Sequence, residues 1–100
     1  MFLIIWHFET DEACVEEFKR AYDAEGVWAQ LFRQSSGYLR THLANDVNAS
    51  FSFFTLDYWK TVQDFQDFKN SHAEEYRRLD RLCESLTKRE TKIGEFTIED

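Results

Sequence analysis

The chain has 100 residues, three Gly, no Pro, two Cys, an aromatic content of 17% that includes ten Phe, and a net charge of −7. That length fits a single domain over 1–100, the aromatic content argues against a disordered chain, and no apolar run approaches the ~20 residues of a membrane span. Nineteen acidic against twelve basic residues, with no basic stripe, argue against a nucleic-acid partner, because a phosphate backbone repels such a surface.

Residues 2–9 are β-branched and aromatic, and apolar at both parities until His7. They predict a first strand covered on both faces, with Phe2, Ile4, Trp6 and Phe8 on one side and Leu3, Ile5, His7 and Glu9 on the other. The opening Met1–Ile5 run lacks a basic flank and a small-residue cleavage site, so it reads as that strand in a cytoplasmic protein rather than as a leader. Thr10 or Asp11 can cap a following helix, whose apolar phase runs through Cys14, Phe18, Ala21 and Tyr22 up to Gly26. A short helical piece over 27–33 ends at Ser35-Ser36-Gly37. Residues 38–45 alternate as a half-exposed strand, Asn45–Asn48 is turn chemistry, and 50–58 return as a second strand, predicting a hairpin.

Thr61–Asp64 approximates a capping signal ahead of Val62, Phe65 and Phe68, and Ser71-His72-Ala73-Glu74 reads as a capping box that restarts the helix. Residues 90–98 predict a last strand. The order β-α-β-β-α-β predicts an α+β, ferredoxin-like fold: a four-stranded antiparallel sheet with the helices on one face. The other face would be an exposed apolar patch, so a homodimer is expected, with a second copy's sheet covering that face and a chamber left between. Cys14 and Cys83 follow the apolar phase of two helices and read as thiols in a reducing compartment.

The succession Phe2–Phe8, Trp28–Phe32, Gly37-Tyr38-Leu39, Tyr58-Trp59-Lys60 and Phe65–Phe68 resembles the antibiotic biosynthesis monooxygenase family over nearly the whole chain. The tail, His72–Tyr76 through Leu86-Thr87 and Ile93-Gly94, resembles one small bacterial branch of it. The resemblance implies a ferredoxin-like protomer in a dimeric α/β barrel. Some members oxygenate phenolic polycyclic compounds without metal or flavin, others break down haem and many have no established activity, so the resemblance implies one of these. Haem-degrading relatives use an Asn late in the first strand, a Trp ending the third and a His on the second helix. Those positions fall on His7, Trp59 and His72, with His standing in for Asn at the first.

On the residues themselves, His7 is the one strongly polar side chain before Glu9 in an apolar strand, and its imidazole suits general-base work on a phenol. It reads equally as a hydrogen-bonded histidine at a sheet rim. Trp59 would stack on a planar substrate or anchor the strand-to-helix turn, and Trp6 and Trp28 read as core. His72, in the first turn of the restarted helix, would face a pocket or ligate haem iron, or simply cap the surface. His42 alternates with Tyr38 and Arg40 and receives no role.

Asp57 shares parity with Phe51, Phe53 and Thr55, and Tyr58 with Phe54 and Leu56; either set could face a pocket. Asp57 reads as a strand-end polar group, or as a carboxylate partner for His7. Histidine and cysteine spacing gives no zinc site, and no Gly-rich phosphate loop or nucleophile elbow is present. The expected function is a cofactor-independent, monooxygenase-like activity on a hydrophobic aromatic or quinol-type molecule. A non-catalytic ligand-binding barrel and a haem-binding or haem-degrading protein are the alternatives.

Overall fold

The structure is a computed structural model and describes residues 1–99. Four strands form one antiparallel sheet in the order β2-β3-β1-β4, with β1 over Phe2–Glu9, β2 over Tyr38–Asn45, β3 over Ser52–Trp59 and β4 over Arg89–Thr97. Helices α1 (Val15–Tyr22) and α2 (Val27–Phe32) connect β1 to β2. Helices α3 (Val62–Ser71) and α4 (Ala73–Cys83) connect β3 to β4. This is the expected α+β, ferredoxin-like order, with the helices on one face of the sheet.

Period-two alternation decides what each face carries. In the register Ile4↔Asp57 and Trp6↔Thr55, the even residues of β1 and the odd residues of β3 point the same way, toward the helices. Phe2, Ile4, Phe8, Phe53 and Trp59 are buried there against Phe18, Trp28, Phe32 and Phe68 of the helices. Trp59 has no exposed surface; its ring centroid lies 5.2–5.5 Å from those of Phe65, Tyr38, Phe68 and Phe32. The opposite face carries Leu3, Ile5 and His7 beside Phe54, Leu56 and Tyr58, with Phe96 of β4 43% exposed.

Two register shifts alter the simple alternation. The β1–β4 pairing passes from Ile5↔Gly94 to Trp6↔Lys92, which leaves Ile93 as an extra residue. The β2–β3 pairing passes from Tyr38↔Trp59 to Arg40↔Tyr58, which leaves Leu39 as a bulge. The second shift corrects the expected alternation of β2. Tyr38 faces the helices with Thr41, while Arg40 and His42 lie against Tyr58 on the other face.

Helix ends also depart from expectation. Thr61 does cap α3: its hydroxyl oxygen accepts from the Asp64 amide at 3.1 Å, and the hydroxyl donates to the Asp64 carboxylate at 2.9 Å. Asp11 precedes only a 3-10 turn, Glu12–Cys14, and makes no capping bond. Ser71 is the last residue of α3 rather than a cap, and His72, which precedes α4, makes no side-chain cap bond. The chain bends there because the His72 amide still closes α3 by donating to the Phe68 carbonyl at 2.9 Å.

Because Trp59 fills the junction of β2, β3, α2 and α3, Trp59→Ala is expected to cost about 3–5 kcal/mol of stability. Urea unfolding of the variant measures it.

Candidate functional site

The same parity that buries the aromatic core also leaves a gap in it. Between the sheet and the helices lies a cavity of about 270 Å³, lined by Trp6 and Phe8 of β1, Thr41 of β2, Thr55 and Asp57 of β3, Tyr22, Trp28 and Phe32 of the first helical layer, Lys69, Tyr76 and Asp80 of the second, and Glu90 of β4. Rings are rigid, so large ones meeting at tilted angles leave space that smaller aliphatic side chains would close. The volume lies at the lower end of ligand-site volumes and suits one small aromatic molecule.

Asp57 is the polar centre of this cavity. It sits in mid-sheet, between Ile4 of β1 and Thr41 of β2, and is only 9% exposed. The Thr41 hydroxyl donates to Asp57 Oδ1 at 2.6 Å, and the Tyr38 hydroxyl donates in turn to Thr41 Oγ1 at 2.7 Å. The Leu39 bulge makes this relay possible, since in an unbroken strand residues 38 and 41 would face opposite ways. Burial raises the Asp57 carboxyl from its ordinary value to about 6, against the Thr41 hydrogen bond, which lowers it.

The rest of the lining is electronegative. Tyr76 is pushed up to about 12, first by burial and then by the Asp80, Asp57 and Glu90 carboxylates. Tyr22 is also raised, by burial first and then by Cys83, Glu90 and Asp80. Burial raises Glu90, with Asp80 and Glu84 adding to it. The cation in the lining, Lys69, stands 4.7 Å from the Tyr76 ring centroid and 5.7 Å from that of Phe65. Trp28 Nε1 is buried without a hydrogen-bond partner.

None of His7, Trp59 and His72 lines this cavity. His7 is on the helix-free face, where Nε2 pairs with Ser52 Oγ at 2.7 Å and the ring lies 4.7 Å from that of Phe54. The cavity lies under the helices, on the face of Trp6 and Phe8 and across the sheet from His7. Trp59 is sealed within the aromatic core at the end of β3. His72 stacks on Phe68 at 4.8 Å, with Nδ1 3.3 Å from the Phe68 carbonyl oxygen. Trp6 and Trp28, read from sequence as core, form cavity wall. Asp57 lines the cavity, and its shared parity with Phe53 is the sequence signal that puts it on the helix-covered face.

The cavity does not fit haem. Its lining has no histidine or cysteine to hold the iron, and the raised Tyr22 and Tyr76 resist becoming tyrosinate ligands. No cluster of metal-ligating side chains occurs among the described residues. Cys14 and Cys83 are free thiols, and no helix among the described residues is long and apolar enough to cross a membrane.

The sequence matches no protein-family model and no curated protein. Solved structures do match. A candidate antibiotic biosynthesis monooxygenase from Deinococcus radiodurans superposes with a TM-score of 0.76 at 13% identity, covering 100% of this chain and 94% of that one. SnoaB, a cofactor-independent oxygenase from Streptomyces nogalater, gives 0.72 at 17% identity over 99% and 93%. A further antibiotic biosynthesis monooxygenase gives 0.68 at 14% identity over the full length of both chains. The chain thus shares the fold of the antibiotic biosynthesis monooxygenases from end to end.

The raised Asp57 carboxyl has a consequence for stability whose sign is opposite to that of a salt-bridged acid. The folded state holds the proton more tightly than the unfolded chain, so stability falls as pH rises from about 4 through about 6, by about 3 kcal/mol in all. Asp57→Asn removes the buried charge and should unfold at higher urea than the parent near about pH 8, with that advantage gone near about pH 4. Paired urea titrations at the two pH values measure the difference.

Proposed function

We propose that the chain is a cofactor-independent oxygenase of the antibiotic biosynthesis monooxygenase family, acting on a hydroxylated aromatic or quinol-type molecule in the cavity beneath the helices. The observation that carries this reading is Asp57: a buried carboxyl, held by the Thr41 hydroxyl and lining an aromatic-walled space, which burial pushes up to about 6. A base so tuned is ionised at neutral pH yet basic enough to accept a phenolic proton in the transition state. The likeness to SnoaB supports chemistry without a bound cofactor.

The steps need little from the protein beyond that base. Asp57 takes the proton of the ring hydroxyl, and the Tyr38–Thr41 relay holds its carboxylate in place. The electron-rich substrate anion reduces dioxygen and forms a carbon–oxygen bond at a ring CH, and the peroxide takes the proton back from Asp57 to become a hydroperoxide. Loss of the remaining hydrogen on that carbon with cleavage of the O–O bond leaves a carbonyl, and the second oxygen departs as water. The apolar wall excludes bulk water from the intermediates. The base is thereby assigned to Asp57 rather than His7, whose ring lies across the sheet.

A second copy of the chain is proposed to cover the helix-free face, where Leu56 and Tyr58 are half-buried and Phe96 is exposed. Apolar area of this kind is commonly buried in a two-fold dimer. Free Cys14 and Cys83 support a reducing, cytoplasmic setting.

Oxygen uptake with a model anthrone or quinol tests the chemistry. The rate is expected to rise with pH through about 6 and then level off. Asp57→Asn is expected to lower it by about 10²–10⁴-fold. Unchanged turnover in that variant removes Asp57 as the base, and tight ligand binding without oxygen consumption in the parent makes the barrel a binding protein. Sedimentation at micromolar concentration is expected to give a dimer; a folded monomer there overturns the covered face.

A further inference from the structure

We infer that the cavity selects an aromatic molecule bearing a protonated amine, its ring among Trp6, Trp28 and Tyr76 and its ammonium beside Asp80 and Glu90. The inference deepens the oxygenase reading by naming the substrate class of that site, and its binding arm stands without turnover.

The charges of the lining argue for a cation. Three carboxylates, Asp57, Asp80 and Glu90, border one cavity with a single Lys, and Lys69 is already placed over the Tyr76 and Phe65 rings. Arg77 and Arg81 share the adjoining surface depression with Asp80, Glu84 and Glu90 but make no salt bridge to them. Among the described residues none of the three acids is in a salt bridge. Asp57 is nine-tenths buried, yet only its Oδ1 is hydrogen-bonded; Oδ2 has no partner among the described residues. A buried carboxylate without a counter-charge is costly, and a ligand that brings the charge offsets that cost. Aromatic faces beside carboxylates are the surroundings in which an ammonium group binds well.

Two further features agree. The Tyr22 and Tyr76 hydroxyls are held in their neutral form partly by these carboxylates. A substrate anion formed beside Asp57 meets the same field, and a positive charge on the substrate itself offsets it. Trp28 Nε1–H is buried without a well-formed hydrogen bond, having only the Tyr22 hydroxyl and Cys83 thiol beside it, and can donate to an oxygen on the ligand. The ligand class is therefore a hydroxylated aromatic amine. The acidic balance of the whole chain, −7, also favours the approach of a cation.

The test uses naphthols carrying an aminomethyl, a hydroxymethyl or a carboxylate substituent, titrated calorimetrically into the purified protein at neutral pH. The aminomethyl compound is expected to bind at least about tenfold more tightly than the hydroxymethyl one, with the carboxylate giving no binding heat. The double variant Asp80→Asn, Glu90→Gln, changed at two exposed positions, should lose that preference and keep its affinity for the hydroxymethyl compound. In the parent protein, added salt should weaken the aminomethyl compound alone. Equal affinity for the first two compounds, or tighter binding of the carboxylate, overturns the inference and leaves the oxygenase reading standing. Selective binding of the amine, with no oxygen uptake by the parent protein on an anthrone or quinol, sinks the oxygenase reading and leaves the inference standing.

Discussion

A single layer of aromatic rings between the sheet and the helices is the constraint on which the protomer depends. Phe18, Phe53 and Trp59 are its fully enclosed members. Around them, ring centroids are 4.5–5.5 Å apart in most pairs, as in Phe18–Tyr22, Phe18–Phe53 and Trp59–Phe68. Rings supply large buried area with few torsions to freeze, which suits a short chain with limited core. Their rigidity also explains the cavity: a layer built from plates meets its neighbours at edges and tilts, and the space left over lies where Trp6, Tyr22 and Trp28 fail to converge. Stability and a ligand site therefore come from the same packing choice.

Much of the fold was legible because strand parity and helix phase are local properties. The hairpin of residues 38–58, the Asn45–Asn48 turn and the Thr61 cap each rest on interactions within a few residues, and each appears in the structure. The four-stranded order follows from them by pairing rules. Helix termini were less legible. The Ser71–Glu74 pattern has the right letters for a cap, yet α3 runs on through Ser71 because Phe68 packing and the His72 amide hold the extra turn.

The site was harder to read for a physical reason. Both faces of β1 are apolar, so composition alone did not decide which one the helices cover, and His7 drew attention as a polar exception on the face that they leave bare. Asp57 reads as a strand-end residue, and it does lie two residues from the end of β3, but β3 is an inner strand, so β1 and β2 flank the carboxyl on both sides. Thr41 could not be joined to Tyr38 from the sequence, because a bulge leaves no dependable mark in a stretch that alternates well. Tertiary register, rather than residue chemistry, was the missing information.

The extra residue at Leu39 carries an implication for how such a scaffold diversifies. One inserted position in an edge strand rotates Tyr38 by half a pleat relative to everything after it, and so decides whether the mid-sheet acid has an outer hydroxyl behind it. A chain with Leu39 deleted would keep the same pairing beyond Arg40 while leaving the acid supported by Thr41 alone. Reactivity in this architecture can accordingly be retuned by changing the length of a border strand, with no substitution in the chamber itself.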